Sequence, residues 1–278
     1  MVRGTFSPAR AWRPAVAARL ARTLGTELLL FRYSNRKHQD FAEFIDSERE
    51  KYSDGSNNLV AFALEAIFKR YRFAWRLKEL ADPLVEQHIA ETTRKMDNAR
   101  SGPMSATEVQ AMAEGMVRSN EIQMHFESFF MHGSIMCDEL AHLILYFFGD
   151  ERGVKMGGHR LLSKNFERYA LAKKLSFRES LPMHANFLEA ELCNFRDKQI
   201  VHDFNPRKVR GLSWSLSTMD INLSAAGHMY PKPSDVHVNS KGWNELLTRL
   251  DEYVWDVLHV VQQNRTRSRL ADASIHRT

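Results

Sequence analysis

Residues 105–148 read SATEVQAMAEGMVRSNEIQMHFESFFMHGSIMCDELAHLILYFF. Ser105 followed three positions later by Glu108 is a capping box, in which each side chain takes up a backbone N–H that the first helical turn leaves without a partner. The spacing predicts one very long helix from Ser105 to about Phe148, ended by the glycine-rich run Gly149–Gly158. Upstream, Ser101-Gly102-Pro103 reads as a linker. Before it, residues 57–80 place Leu59, Phe62, Leu64, Ile67, Phe68, Tyr71 and Trp75 at three- and four-residue spacing, an apolar helical stripe. Asp82-Pro83 is expected to break that helix and start another. Pro14 can open a helix running to about Tyr33, and Asn35 can cap the next.

Downstream, helices are predicted at 163–176 and 182–203, the second with Pro182 near its start. In residues 209–223 the period changes: Leu212, Trp214 and Leu216 alternate with serines, as a short strand or extended arm would. Pro231 and Pro233 mark a loop. A last helix is expected from about Lys241 to Gln262, with Trp243, Leu246, Leu247, Leu250, Val254, Leu258 and Val261 facing inward. There is no internal repeat. The expected fold class is all-α: a helical bundle with a short irregular or β-like insert near 209–223. Its expected organisation is an N-terminal helical region (1–100) that packs on the same bundle or stands apart, a main helical domain (101–265) and a basic tail (266–278).

The 278 residues are 44% hydrophobic and 26% charged, and Gly (13) and Pro (8) are scarce, which excludes collagen-like and low-complexity chains. Two cysteines, Cys137 and Cys193, form no disulfide framework and share no metal-ligand spacing, so a reducing, cytoplasmic compartment is expected. The net charge of +5 is a property of the two ends. Residues 1–40 carry eight Lys/Arg against Glu27 and Asp40, and the tail after Val261 carries four Arg against Asp272, so the middle is acidic. Basic ends suit electrostatic contact with phosphate or a solvated terminus. The most apolar run, Leu143–Phe148, falls far short of the roughly 20 residues of a bilayer crossing, and no membrane association is expected. The Arg-rich N-terminus superficially resembles a transit peptide, and an amphipathic first helix explains it equally well.

The segment Glu191-Leu192-Cys193-Asn194-Phe195-Arg196-Asp197-Lys198-Gln199-Ile200-Val201-His202-Asp203 carries the chemistry. It sets an Arg and a His six residues apart near the end of a helix, with a polar residue directly after the Arg. This resembles the R-x4–6-H motif of HEPN domains, most closely the Arg-Asp-Lys…His-Asp version of abortive-infection and other phage-defence proteins. The resemblance covers about a dozen residues directly, and the helices from Ser105 to Gln262 more loosely. It implies a metal-independent endoribonuclease with no cofactor, acting in defence or as a toxin. His202 would be the general base on the ribose 2′-hydroxyl and Arg196 would hold the scissile phosphate. The products would be a 2′,3′-cyclic phosphate and a 5′-hydroxyl, and DNA would not serve. Asp197 would orient Arg196, Lys198 or Asn194 would add phosphate or ribose contacts, and Asp203 completes the pattern.

Six residues at about 100° each put Arg196 and His202 roughly 120° apart on an unbroken helix. Either the helix bends or ends near Val201, or a second protomer completes the site. A homodimer with a composite site is expected. The alternative is structural: His202 lies on the stripe of Leu188, Leu192 and Phe195, and Arg196 can pair with Asp203 or Glu189. A non-catalytic helical module that binds RNA or a partner protein is then expected instead. No nucleotidyltransferase motif accompanies the segment, so an antitoxin or regulatory partner would be a separate chain.

A rival from another class rests on metal chemistry. Glu121, His125, His132 and Glu139 form one polar stripe on the long helix. Glu139 and His142 make a Glu-x-x-His, and Asp256 and His259 a second acid-x-x-His on the last helix. Two such motifs are how di-iron carboxylate bundles build their core site. Two further carboxylates would be needed, and Glu65 or Glu189 are at hand. The plain alternative is that these groups hydrogen-bond across a helix seam or face water.

Overall fold

The computed structural model describes residues 36–49, 51, 54–97, 105–197, 211–215, 220–224 and 237–270. The fold is all-α with one small sheet. Its helices are α1 (Arg36–Arg49), α2 (Asp54–Asp97), α3 (Ala106–Phe148), α4 (His159–Lys173), α5 (Ser180–Leu188) and α6 (Ser240–Gln263). A π-helical turn, Glu189–Cys193, continues α5, and a 3₁₀ turn, Arg265–Arg267, follows α6. Strands β1 (Gly211–Ser215), β2 (Asp220–Ser224) and β3 (His237–Asn239) form an antiparallel sheet in that order, with Trp214 opposite Ile221 and Leu223 opposite Val238. The period-two segment is therefore a hairpin strand and the start of its partner.

The capping box of α3 forms as its spacing requires. The Ser105 hydroxyl accepts the Glu108 N–H at 3.3 Å, and the Glu108 carboxylate accepts the Ser105 N–H at 2.6 Å. These bonds hold the exposed Glu108 carboxyl below its ordinary pKa. The helix stops at Gly149, whose φ of 72° is open to a residue without Cβ and whose N–H bonds the Leu145 carbonyl. Helix α4 starts at His159, earlier than the expected 163. It ends on Lys174 in the left-handed region, φ 55°.

One expectation is corrected. Asp82-Pro83 does not divide the second helix, because α2 runs through Pro83 without interruption. Pro83 deprives the Glu79 carbonyl of its usual donor. Pro83 is exposed, so water can serve that carbonyl, and Lys78 pairs with Asp82 across the same turn. The helix from Pro14, the Asn35 cap, the loop at Pro231 and Pro233, and the end of the tail lie outside the described residues.

A single apolar cluster joins every helix: Phe41 of α1, Tyr71 of α2, Phe129 of α3, Phe166 of α4, Leu188 of α5 and Val257 of α6 are all almost fully buried. Each such side chain contributes about 1.5–3 kcal/mol relative to exposure. Residues before and after 101 share this cluster. Among the described residues no helix is long and apolar enough to cross a membrane.

Candidate functional site around Arg196

The sequence predicts a helix over 182–203, which bends or ends near Val201 if Arg196 and His202 are to share a face. It changes hand-over earlier than that: the Asn194 N–H reaches back five residues to the Glu189 carbonyl, the mark of a π turn. Asn194 and Phe195 return to α geometry, and Arg196 and Asp197 are π again. The turn is anchored by apolar contacts. Leu192 is fully buried over Gly133 of α3, where an added Cβ would stand 3.1 Å from a Leu192 methyl. Phe195 stacks on Phe130 with ring centroids 4.4 Å apart. Glycine at 133 is thus what lets the turn lie close against α3.

That anchoring leaves Arg196 at the rim, its side chain 19% exposed. Its Nε donates to Asp197 Oδ1 at 2.8 Å, and a terminal nitrogen lies 2.7 Å from the same oxygen. Another terminal nitrogen is 3.9 Å from Asp138 Oδ2. Burial opposes the guanidinium charge, but the Asp197 hydrogen bond and the negative surroundings outweigh it, so the pKa stands above its ordinary value. Asp138 serves two elements, since its Oδ1 also accepts the backbone N–H of His159 at 2.9 Å, capping α4. Glu189 is held above the usual carboxylate range by burial, with Arg160 working against the shift and Asp197 and Asp138 adding to it. Asn194 is half-buried on the same turn. Lys198, His202 and Asp203 lie outside the described residues, so the proposed base, the second basic contact and the closing Asp are not placed.

Directly beneath Arg196 lies a group that sequence spacing does not reveal. Cys137 of α3, His159 of α4 and Cys193 of the π turn present one ligand atom each, all within 4.8 Å of one another. All three are buried. His159 Nε2 is 3.1 Å from the Ala185 carbonyl, and Nδ1 is 3.1 Å from the Tyr253 hydroxyl. A carbonyl only accepts, so Nε2 carries the proton and Nδ1 accepts from Tyr253. Burial pushes the His159 pKa down to about 4, the Ala185 carbonyl and Asp138 opposing it, so the ring is neutral near pH 7. Burial, contact with Cys193 and nearby acids push the Cys137 thiol well up.

A second buried cluster sits one residue away on α5. His184 Nδ1 lies 3.1 Å from Asp256 Oδ2, and the Ser180 hydroxyl donates to that oxygen at 2.7 Å. Arg178 approaches the other Asp256 oxygen at 3.4 Å. His184 Nε2 faces Glu252 at 3.2 Å and Arg249 at 3.4 Å.

This geometry corrects the di-iron quartet. Glu139 accepts from Arg70 Nε at 3.0 Å, and the same guanidinium touches His132 Nδ1 at 3.0 Å, so that stripe ties α2 to α3. His142 is exposed, while Asp256 is taken up by His184, Ser180 and Arg178. His259 is half-buried, with its pKa lowered by burial and by Arg178 and partly restored by Asp256. Glu139, His142, Asp256 and His259 do not gather. Among the described residues the one group with metal-binding spacing is Cys137, His159 and Cys193.

Comparison with known proteins finds no matching family model, no matching curated protein and no matching solved structure.

Proposed function

We propose that this chain is a metal-independent endoribonuclease of HEPN type, cytoplasmic and acting in defence or as a toxin. The observation that carries the reading is Arg196: a permanently charged fork at the rim of the bundle, oriented by Asp197 on a π turn. Irregular helical turns of this kind are frequent at functional sites. In the reaction, His202 takes the proton of a ribose 2′-hydroxyl, whose oxygen attacks the adjacent phosphorus. Arg196 exchanges Asp197 for the non-bridging phosphate oxygens and stabilises their charge. The 5′-oxygen leaves and is protonated, giving a cyclic phosphate and a 5′-hydroxyl. A homodimer would supply the second half of a composite cleft, and an antitoxin or regulatory protein would restrain it.

A second reading has its own support. Asp197 and Asp138 already compensate Arg196, as they would in a purely structural ion cluster within a non-catalytic module that binds RNA or a partner protein. Incubation with labelled structured RNA in EDTA separates the two. Cleavage leaving cyclic-phosphate ends, lost by about 10²-fold or more in Arg196→Ala/His202→Ala, supports the nuclease. Salt-sensitive binding without cleavage by the wild type overturns it in favour of the module.

A further inference from the structure

We propose that Cys137, Cys193 and His159 form a binding site for one thiophilic d¹⁰ cation, Zn²⁺ or Cu(I), which fastens the π turn carrying Arg196 to α3 and α4. The inference does not depend on the ribonuclease reading, because the site is sealed from solvent and takes no part in phosphate chemistry.

Four observations carry it. The donor set is two sulfurs and one imidazole nitrogen, the types that borderline and soft cations select. The three ligand atoms already lie within 4.8 Å of one another. A tetrahedral zinc site with Zn–S near 2.3 Å and Zn–N near 2.0 Å sets such atoms about 3.5–3.8 Å apart, so shifts of about an ångström complete it. The His159 tautomer is one a ligand can use: Nε2–H is spent on the Ala185 carbonyl, so Nδ1 carries the ring's lone pair, which accepts from the Tyr253 hydroxyl in the metal-free protein. A ligating His characteristically donates its other N–H to a carbonyl or carboxylate in this way. Finally, the three groups come from three separate elements, and all are buried, at 0% exposure for Cys137, 5% for Cys193 and 1% for His159.

Binding balances without a co-reactant. Each thiol loses its proton to solvent, two S–metal bonds and one N–metal bond form, and no electron is transferred. With Zn²⁺ the two thiolates leave the site neutral, which suits a buried location. Tyr253 Oη, 3.1 Å from His159 Nδ1, gives up its hydrogen bond to that nitrogen and is the further donor at hand for the fourth position.

The test uses the full chain, purified under reducing conditions without chelator, with its metal content measured by mass spectrometry. One equivalent of zinc or copper per chain is expected. Exchange for Co²⁺ should then give thiolate-to-cobalt charge-transfer absorption and intense tetrahedral bands at one equivalent, both abolished by added Zn²⁺. Cys193→Ser should weaken Zn²⁺ binding by more than the roughly 10–100-fold that changes outside the ligand shell cost. Should that variant fail to fold, the wild-type cobalt spectrum decides alone. A helical wild-type chain that takes up none of these ions, or whose two cysteines are joined as a disulfide, overturns the proposal. RNA cleavage in EDTA bears on the nuclease reading alone, so the two proposals fail separately.

Discussion

His184 and Ala185 are neighbours on α5, yet they look into two unlike polar pockets of the same core. On one side His184 meets Asp256, Ser180, Glu252 and, at longer range, Arg249. On the other the Ala185 carbonyl meets His159, backed by two thiols and a phenol. The first pocket is built around formal charges, the Asp256 and Glu252 carboxylates facing the Arg178 and Arg249 guanidinium groups, with an imidazole and a serine hydroxyl between them. The second is built from neutral, polarisable donors that carry no charge until a cation draws off their protons. His184 and Asp256 are as deeply buried as the groups of the second pocket, but Arg178, Arg249 and Glu252 reach the surface, so the two differ both in access to solvent and in what each can accept. A charge-compensated pocket is complete as it stands and serves stability, whereas a neutral donor pocket has capacity left over.

The largest effect should come from breaking the charged pocket. Asp256→Ala leaves His184 and Ser180 facing an empty acceptor, and should cost about 3–5 kcal/mol in denaturant unfolding. Loss below about 1 kcal/mol would mean that Asp256 is compensated far less completely than its contacts indicate. In metal-free protein, Tyr253→Phe removes one neutral hydrogen bond to His159 and should cost only about 1 kcal/mol. If the two pockets are energetically separate, the double variant should add to within about 0.5 kcal/mol. A larger coupling through α5 would dissolve the distinction between them.

A third buried histidine sharpens the contrast at the smallest scale. His38 of α1 is 3% exposed and its ring nitrogens have no hydrogen-bond partner among the described residues. It packs edge-on to Phe68, Tyr71 and Trp75. Burial and then Arg72 lower its pKa, with Glu79 and Asp251 opposing. Because the folded pKa is depressed, the unfolded chain takes up this proton first as the pH falls below about 6.5. Its contribution is therefore intact above that pH and is lost on acidification. His38→Phe should flatten the acid limb of a stability–pH profile between pH 7 and 5. An unchanged slope would locate the acid sensitivity elsewhere.

Much of the scaffold was legible because it is written in short-range spacing. Ser105 and Glu108 announce the start of α3, the stripe from Leu59 to Trp75 announces α2, and the Ser-alternating run around Trp214 announces β1. The reading failed where the deciding partner is remote. Pro83 looks like a helix end on local rules, but the long packed face of α2 against α3 outweighs one lost backbone bond. Asp256 was noticed beside His259 on its own helix, whereas its partners His184, Ser180 and Arg178 come from α5 and the residues before it. Cys137 and Cys193 lie far apart in the chain, so only the packing of the π turn on α3 brings them together. Of the Arg196 surroundings, Asp197 was visible as the next residue, while Asp138 was not.

The π turn has one more consequence, which concerns chain length. A π turn holds one residue more than the α turn it replaces, so it is equivalent to a single inserted residue accommodated without breaking the helix. If Glu189–Cys193 were wound as ordinary α-helix with every residue kept, everything after it would be turned by about 100°. Arg196 would swing away from Asp138, and position 193 would no longer meet Cys137. Helicity would scarcely change, while the register that aims both groups would be lost. The extra residue is therefore what sets the register of both groups, and a substitution that regularises the turn should misplace them while leaving helix content intact.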